Sequence, residues 1–511
     1  MRKYEFIGGN PISEDIVGSK YQIVCPYCFN EAAGGKPFSH KDVHFRAETY
    51  YANPGAIEQT LGTSKIDIEM MSNAEERGKA MARYETAEQF LLREDSQYQK
   101  FWSNYDGTTE KEGRMDGDVK PWNLPVISAG NGVQRLITDN NSFVIGAVDD
   151  FGKPTYRRVC PYCHNPLPTG FGRYPVKNIS IVGVTGAGKT VYISQLLKGM
   201  GKYAAKSGLS AFFTSDHERN FVEDNPVEQG VPLPNGTAPN RLSQPMFYDI
   251  IRTEGNMVAT ETIVLYDIAG ENCCKAGDMA NFAGFVKHTD GLILLIDPEQ
   301  LQFVIKTDPN KKVDEPTLVL TTLHSILEST ENRKSTIPVA VCVSKSDQCF
   351  DILPPTAQDH VQIAGRDASG LSSQEFDGRS YNQLSRELTR LMTDNSFELC
   401  KNLQGNYLNF NFFAVSATGC ECPKNEEGLS TPVIKPEPRR IEEPILWLFK
   451  QFGYIQSNEN VYRPFPITQP DKEIWKKGFL GLGGHWERVK GEQAVYEEDA
   501  IRDGVIRIGG K

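Results

Sequence analysis

Apolar residues along the chain gather into short continuous runs, and the runs become most regular in the middle third. The stretches 178–184, 246–251, 262–266, 291–297, 337–343 and 410–415 are each predominantly apolar, which predicts strands, with 178–184 and 291–297 buried. Between them, 191–197, 316–327, 381–392 and 442–450 place apolar residues three and four apart, the spacing of helices with one face on a core. Buried strands alternating with such helices predict an α/β domain over 177–456, a mostly parallel sheet with helices on both faces. A further strand is expected at 211–215, and the polar, turn-prone 216–244 reads as a long mobile connection.

The first third is patterned differently. Short β-like runs stand at 21–24, 143–147 and 156–159, whereas 55–105 is polar with helical stretches at 73–83 and 87–92. The expected organisation is a small β module over 1–50 plus 141–176, split by a polar helical insertion at 51–140. After the α/β domain, 457–511 has no clear period, and disorder or a short β-appendage fits equally.

Candidate chemistry sharpens this outline. The strand at 178–184 runs into Gly183-Val-Thr185-Gly186-Ala187-Gly188-Lys189-Thr190, a full match to G-x-x-x-x-G-K-[ST], and Val191 continues into a helix. Glycines let backbone N–H groups curl around a phosphate at a helix N-terminus, where the dipole favours anions. Lys189 can then reach the β- and γ-phosphates, and the Thr190 hydroxyl can hold Mg²⁺. A second acid, Asp267, ends an apolar strand and opens Asp267-Ile-Ala-Gly270-Glu271, where a doubly wound sheet places its Mg²⁺-side carboxylate. Gly270 can offer its N–H to a γ-phosphate. The strand at 337–343 ends in Ser344-Lys345-Ser-Asp347. A carboxylate at Asp347 accepts from both N1–H and the 2-amino group of guanine, while adenine would present it a lone pair. Ser416-Ala417-Thr418 follows the last apolar strand, with the Ala417 N–H placed to meet the guanine 6-oxo group.

Two identical knuckles, Cys25-Pro-Tyr-Cys28 and Cys160-Pro-Tyr-Cys163, each follow a short β-like run, which points to one tetrahedral Cys₄ zinc site. The rivals are redox chemistry, which would want the motif at a helix N-terminus, and two separate two-cysteine sites completed by His40, His44 or His164. Neither knuckle runs into a helical pattern, and a lone histidine is more often an ordinary core or surface residue. Cys273, Cys274, Cys420 and Cys422 read as ordinary thiols, and Arg439-Arg440 as a solvated charge pair.

Composition narrows the function classes. The 511 residues carry a formal net charge of −11, which argues against broad nucleic-acid binding and adhesion to anionic membranes. No stretch reaches the length of a membrane-spanning apolar run, no signal core opens the chain, and reduced, metal-binding cysteines suit the cytoplasm. A cytoplasmic protein with no membrane span is expected.

Four boxes, 183–190, 267–270, 344–347 and 416–418, thus stand in the order found in guanine-nucleotide domains. The stretch 177–455 resembles a P-loop GTPase of the translation-factor and Ras-like class. With 282–298 and the closing 438–447 it looks most like the bacterial double-GTPase family, whose members are associated with conflict or signalling systems. The resemblance implies GTP/GDP, Mg²⁺ and slow hydrolysis, with Lys189 on the β- and γ-phosphates, Thr190 on Mg²⁺ and Asp267 reaching it through water. It also implies Gly270 as γ-phosphate sensor, Lys345 and Asp347 as guanine readers, and Thr237 as the first switch threonine on Mg²⁺, with Thr214 the runner-up. Three departures stand out: Ser344 where Asn or Thr usually opens the box, Thr185 where small GTPases often carry Gly, and Glu271 where Ras-like enzymes orient water with Gln. The alternatives are a P-loop ATPase or nucleotide kinase, or a non-catalytic nucleotide-binding scaffold. An unidentified protein partner is expected at the zinc ribbon, the insertion or the switch loops, and homodimerisation across nucleotide sites fits as well.

Overall fold

The computed structural model describes residues 4–7, 10–13, 21–48, 51, 55–91, 95–103, 124–183, 186–234, 244–254, 257–268, 284–301, 316–327, 334–349, 351–358, 375–468, 472–477, 484–489, 494–497 and 506–508. The chain divides into two units. The first comprises Met1–Val176, Asn240–Pro245 and Thr253–Thr262, the second Lys177–Pro239, Met246–Arg252 and Ile263–Lys511.

The first unit is built on a six-stranded sheet. Its strands are β1 (His44–Arg46), β2 (Val126–Ala129), β3 (Gly132–Thr138), β4 (Val144–Asp149), β5 (Pro154–Thr155) and β6 (Arg158–Val159). Their order is β6-β1-β2-β3-β4-β5. This corrects the expected insertion: 126–138, inside the stretch read as helical, supplies two strands of the same sheet as the cysteine knuckle. Gln134 and Arg135 interrupt the apolar alternation of β3, so its pattern alone is too weak to find it. The helical part contains α1 (Ala56–Leu61), α2 (Lys65–Glu69), α3 (Ala74–Leu91) and α4 (Ser96–Trp102). Asp95 caps α4 through the Tyr98 N–H at 3.0 Å and also accepts from Arg46 Nη2 and His164 Nδ1, both at 2.7 Å. With Trp102 Nε1 donating to Asn165 at 2.9 Å, a buried polar network ties α4 to the strand and the knuckle beside it. Buried polar groups of this kind are costly unless they are hydrogen-bonded, and these contacts supply bonds to each of the five side chains.

The second unit holds most of a seven-stranded sheet, the residues 253–262 of its two long strands falling in the first. Its strands are β7 (Val176–Gly183), β8 (Ser210–Phe213), β9 (Met246–Glu254), β10 (Met257–Asp267), β11 (Gly291–Ile296), β12 (Val339–Val343) and β13 (Phe410–Ala414). They run in the order β8-β9-β10-β7-β11-β12-β13. The β7–β11, β11–β12 and β12–β13 pairs are parallel, and every residue of β11, β12 and β13 is buried. Helices α5 (Lys189–Lys206), α6 (Asp216–Asp224), α7 (Pro316–Leu327), α8 (Gly378–Asn395), α9 (Phe397–Asn406) and α10 (Glu443–Gln451) accompany it. The α/β class read from the run pattern is therefore the fold of this unit.

Two local readings change. The connection at 216–244 opens with α6, which Ser215 and Glu218 start as a reciprocal capping box. Glu218 is fully buried and also accepts from the Phe247 N–H at 2.6 Å, so it fastens the helix to β9; burial raises its pKa. Arg440, read as solvated, is 1% exposed and pairs with Glu443 in the first turn of α10, its Nε donating to Oε2 at 3.0 Å. The C-terminal region forms a β-appendage, including Tyr462–Thr468, Lys472–Lys477 and Gly484–Val489. Among the described residues no helix is long and apolar enough to cross a membrane.

Candidate nucleotide site and metal centre

The parallel strands deliver the boxes to one edge. Gly183 ends β7, Asp267 ends β10, Ser344 follows β12, and Ser416 lies two residues beyond β13. Gly183 has no room for a side chain, since a Cβ would meet the Leu295 carbonyl oxygen at 2.9 Å. Gly186 (φ 82°) and Gly188 (φ 76°) adopt the left-handed backbone that glycine tolerates, and Gly188 is the N-cap of α5. Lys189 is buried, and its Nζ donates to the Gly183 carbonyl at 3.3 Å, closing the loop on itself. Ala187, Thr190 and Val191 are buried beside it. Val184, Thr185, Thr237, Gly270 and Glu271 lie outside the described residues, as do Cys273 and Cys274.

Asp267 is 5% exposed, and the next N–H, of Ile268, reaches the Ile181 carbonyl at 3.2 Å, so the acid sits beside the phosphate-loop strand. A hydroxyl from Thr190 and a carboxylate from Asp267 are hard oxygen donors of the kind Mg²⁺ takes alongside water and phosphate.

The boxes at 344–347 and 416–418, the fourth and fifth when the expected switch threonine is counted as the second, are cross-linked. The Ser344 N–H and hydroxyl both donate to the Ile296 carbonyl, at 2.9 and 3.0 Å, so serine ties the box to β11. Ser416 Oγ donates to Asp347 Oδ1 and accepts from the Gly419 N–H at 2.8 Å. Burial raises the Asp347 pKa from its ordinary value, with the Ser416 hydrogen bond acting against it. Ala417 is half-buried and Thr418 donates to the Cys420 carbonyl at 3.3 Å. Lys345 adopts φ 49° and turns its ammonium to Asp297 Oδ2 at 2.8 Å. Sequence reasoning passed over Asp297, although it directly follows an apolar strand. Thr214, the alternative switch threonine, follows β8, and its N–H lies 3.4 Å from the Phe247 carbonyl, which places it against β9.

In the first unit the four knuckle sulfurs converge. Cys25, Cys28, Cys160 and Cys163 present Sγ atoms all within 4.8 Å of one another, with Cys25–Cys163 and Cys28–Cys160 each 3.7 Å apart. A tetrahedral ion with bonds of about 2.3 Å needs sulfur separations of about 3.8 Å, so the set fits Zn²⁺. The N–H groups of Tyr27 and Tyr162 point at Cys25 and Cys160 Sγ, at 3.4 and 3.3 Å, which supports thiolate charge in each knuckle. Only a three-residue 3₁₀ turn, Glu31–Ala33, follows the first knuckle, not the helix N-terminus that activates a redox cysteine. The candidate histidines serve elsewhere: His40 Nδ1 accepts from the Val144 N–H at 3.0 Å, and His44 contacts His164 at 3.2 Å in the Asp95 network.

Residues 177–398 match the family model Double-GTPase 2. A Mycolicibacterium smegmatis protein named for ESX-1 scaffolding and assembly, SaeC, is 24% identical over 323 residues, covering 58% of this chain and 80% of that protein. Elongation factor SelB of Methanococcus maripaludis, in complex with the GTP analogue GppNHp, is 12% identical with a TM-score of 0.21, over 62% of this chain and 42% of SelB. The GTP-bound GTPase-like domain of S. cerevisiae Ski7 is 12% identical with a TM-score of 0.24, over 54% of this chain and 50% of that one. The chain thus spans half or less of each of these two solved structures. Residues 177–398 thus match the double-GTPase family model over the stretch whose described box residues, Gly183, Asp267 and Ser344, stand at one sheet edge, and a four-cysteine cluster precedes that stretch in the sequence.

Proposed function

We propose that the protein is a GTP-binding, slowly hydrolysing molecular switch whose zinc-held unit meets a protein partner. The observation that carries the guanine reading is Asp347, a half-buried carboxylate oriented by Ser416 between the 344–347 and 416–418 boxes. An adenine site has no use for a carboxylate there. In this reading Lys189 holds the β- and γ-phosphates, Thr190 and Asp267 hold Mg²⁺, and Ala417 meets the guanine oxygen. Thr237 and Gly270 respond to the γ-phosphate, so that hydrolysis releases both segments. Glu271 in place of a water-orienting Gln puts a carboxylate near the γ-phosphate and keeps intrinsic turnover slow.

Cys25, Cys28, Cys160 and Cys163 would hold Zn²⁺ as a structural ion. The similarity to a protein named for scaffolding and assembly supports a role in protein interaction, in a bacterial conflict or signalling system. The cytoplasm suits both the reduced thiols and the nucleotide.

Binding of fluorescent GTP, GDP and ATP analogues with and without Mg²⁺ tests the reading. Guanine nucleotides should bind at least about tenfold tighter than ATP, and turnover by the protein alone should stay below about 0.1 per second. Equal or tighter ATP binding would transfer the site to an ATPase, and binding with no hydrolysis at all would leave a nucleotide-binding scaffold.

A further inference from the structure

We propose that Asp297 is a positioning residue for nucleotide binding, one that fixes Lys345 against the phosphate loop; the proposal rests on the guanine-nucleotide reading of the site. Asp297 follows β11, which pairs with β7, the strand of the phosphate loop, and with β12, the strand of the fourth box. Its carboxylate is 3% exposed and held at both oxygens. Oδ1 accepts from the Glu299 N–H at 3.0 Å, and Oδ2 from Lys345 Nζ at 2.8 Å. The Gln300 side chain takes the Asp297 N–H at 2.9 Å and completes the clamp. The pair also borders the loop that would cradle phosphates. A Cβ built on Gly186 would lie 3.9 Å from Asp297 Oδ2, and one on Gly188 would lie 3.7 Å from Lys345 Cε.

Three consequences follow from this placement. The left-handed backbone of Lys345 (φ 49°) is unfavourable for a side-chain-bearing residue, and the ion pair is an interaction that holds it. With the ammonium committed to Asp297, the methylene stem is the part of Lys345 left to flank a base. Finally, a carboxylate this near the phosphate loop would repel a nucleotide unless neutralised, and Lys345 neutralises it. Removing the lysine alone therefore does two kinds of damage: it takes away the stem's anchor and exposes a negative charge to the phosphates.

A double-mutant cycle on the full chain reads this coupling directly, with the Kd for a fluorescent GTP analogue as the signal and a thermal melt confirming the fold. Asp297→Asn should weaken binding about tenfold and Lys345→Met about a hundredfold, while the double variant binds no worse than Lys345→Met. The loss in Asp297→Asn should fall on affinity, with turnover at saturating GTP within about twofold of wild type. Independent roles would instead multiply to about a thousandfold, and that additive result, in a wild type that binds GTP, would overturn the proposal alone. A wild type without GTP affinity would overturn the nucleotide reading and this inference with it. Lys345→Arg gives a second test that leaves Asp297 in place. It keeps a charge for the carboxylate and should bind within about fivefold of wild type, whereas a loss equal to that of Lys345→Met would show that charge pairing plays no part.

Discussion

Arg440 shows how far the setting of one residue can depart from its sequence neighbourhood. Two adjacent arginines before a helix suggest solvent, yet Arg440 is 1% exposed, adopts φ 50°, and donates to both Glu443 oxygens and to the Thr356 carbonyl. Its neighbour Arg439 exchanges backbone hydrogen bonds with Ser416, so the pair borders the fifth box. Burial raises the Glu443 pKa even with Arg440 beside it. Arg440→Ala should cost about 3–5 kcal/mol in urea unfolding, because it strands a buried carboxylate. An acid whose folded pKa lies above its unfolded value is stabilising while protonated and loses that contribution as pH rises. The variant should therefore lose further stability relative to wild type between pH 5 and pH 8, and a flat difference across that range would contradict the assignment. Asp347 and Lys189 were legible because their spacing within short motifs encodes chemistry. Arg440, Asp95 and Asp297 were not, because their partners lie on other elements and no local pattern announces them.

At the scale of elements, the buried strands of the second unit could be read directly, since strands covered on both faces need unbroken apolar runs. The strands β2 and β3 escaped because a half-exposed strand interrupted by Gln134 and Arg135 leaves little alternation. Helix α6 escaped because its polar composition hid a start signal, the Ser215 and Glu218 capping box, inside a stretch read as loop. Another feature absent from any motif is the excursion after the fifth box. The segment 416–418 pairs with 437–439, and the intervening chain accepts hydrogen bonds from Gly230 and Leu233 through the carbonyls of Pro432 and Ser430, at 2.9 and 2.8 Å. The 416–418 segment's excursion and residues 230–233 are thereby joined. Gly419 permits this pairing: it adopts φ 63°, and a Cβ there would fall 1.9 Å from the Glu437 carbonyl oxygen. Gly419→Ala should cost more than about 2 kcal/mol and weaken GTP binding, because strain and clash add. Gly428→Ala, at φ 78° but with nothing within 4 Å of the added Cβ, should cost about 1 kcal/mol and leave GTP affinity unchanged. Equal costs at the two positions would show that the pairing beyond the fifth box contributes little.

At the scale of the whole molecule, the chain forms two units, one carrying the four-cysteine cluster and the other the phosphate-loop strand. The cysteine spacing revealed the ligands but not the architecture, because the 131 residues between Cys28 and Cys160 contain strands of the same sheet as well as helices. Since structural zinc couples binding to folding, purified protein should carry one zinc per chain. Chelation should unfold the first unit while GTP affinity stays within about threefold. Unchanged zinc content in Cys25→Ser and Cys160→Ser would contradict the shared site. The central claim, that the second unit reads guanine through Asp347, is tested most directly by binding of GTP and xanthosine triphosphate to wild type and Asp347→Asn. Xanthine carries a 2-oxo group that suits the amide of Asn and repels a carboxylate. The account predicts that the variant loses GTP affinity by about 10- to 100-fold and gains affinity for the xanthine nucleotide. Unchanged GTP binding in the variant, with no gain for xanthine, would contradict it.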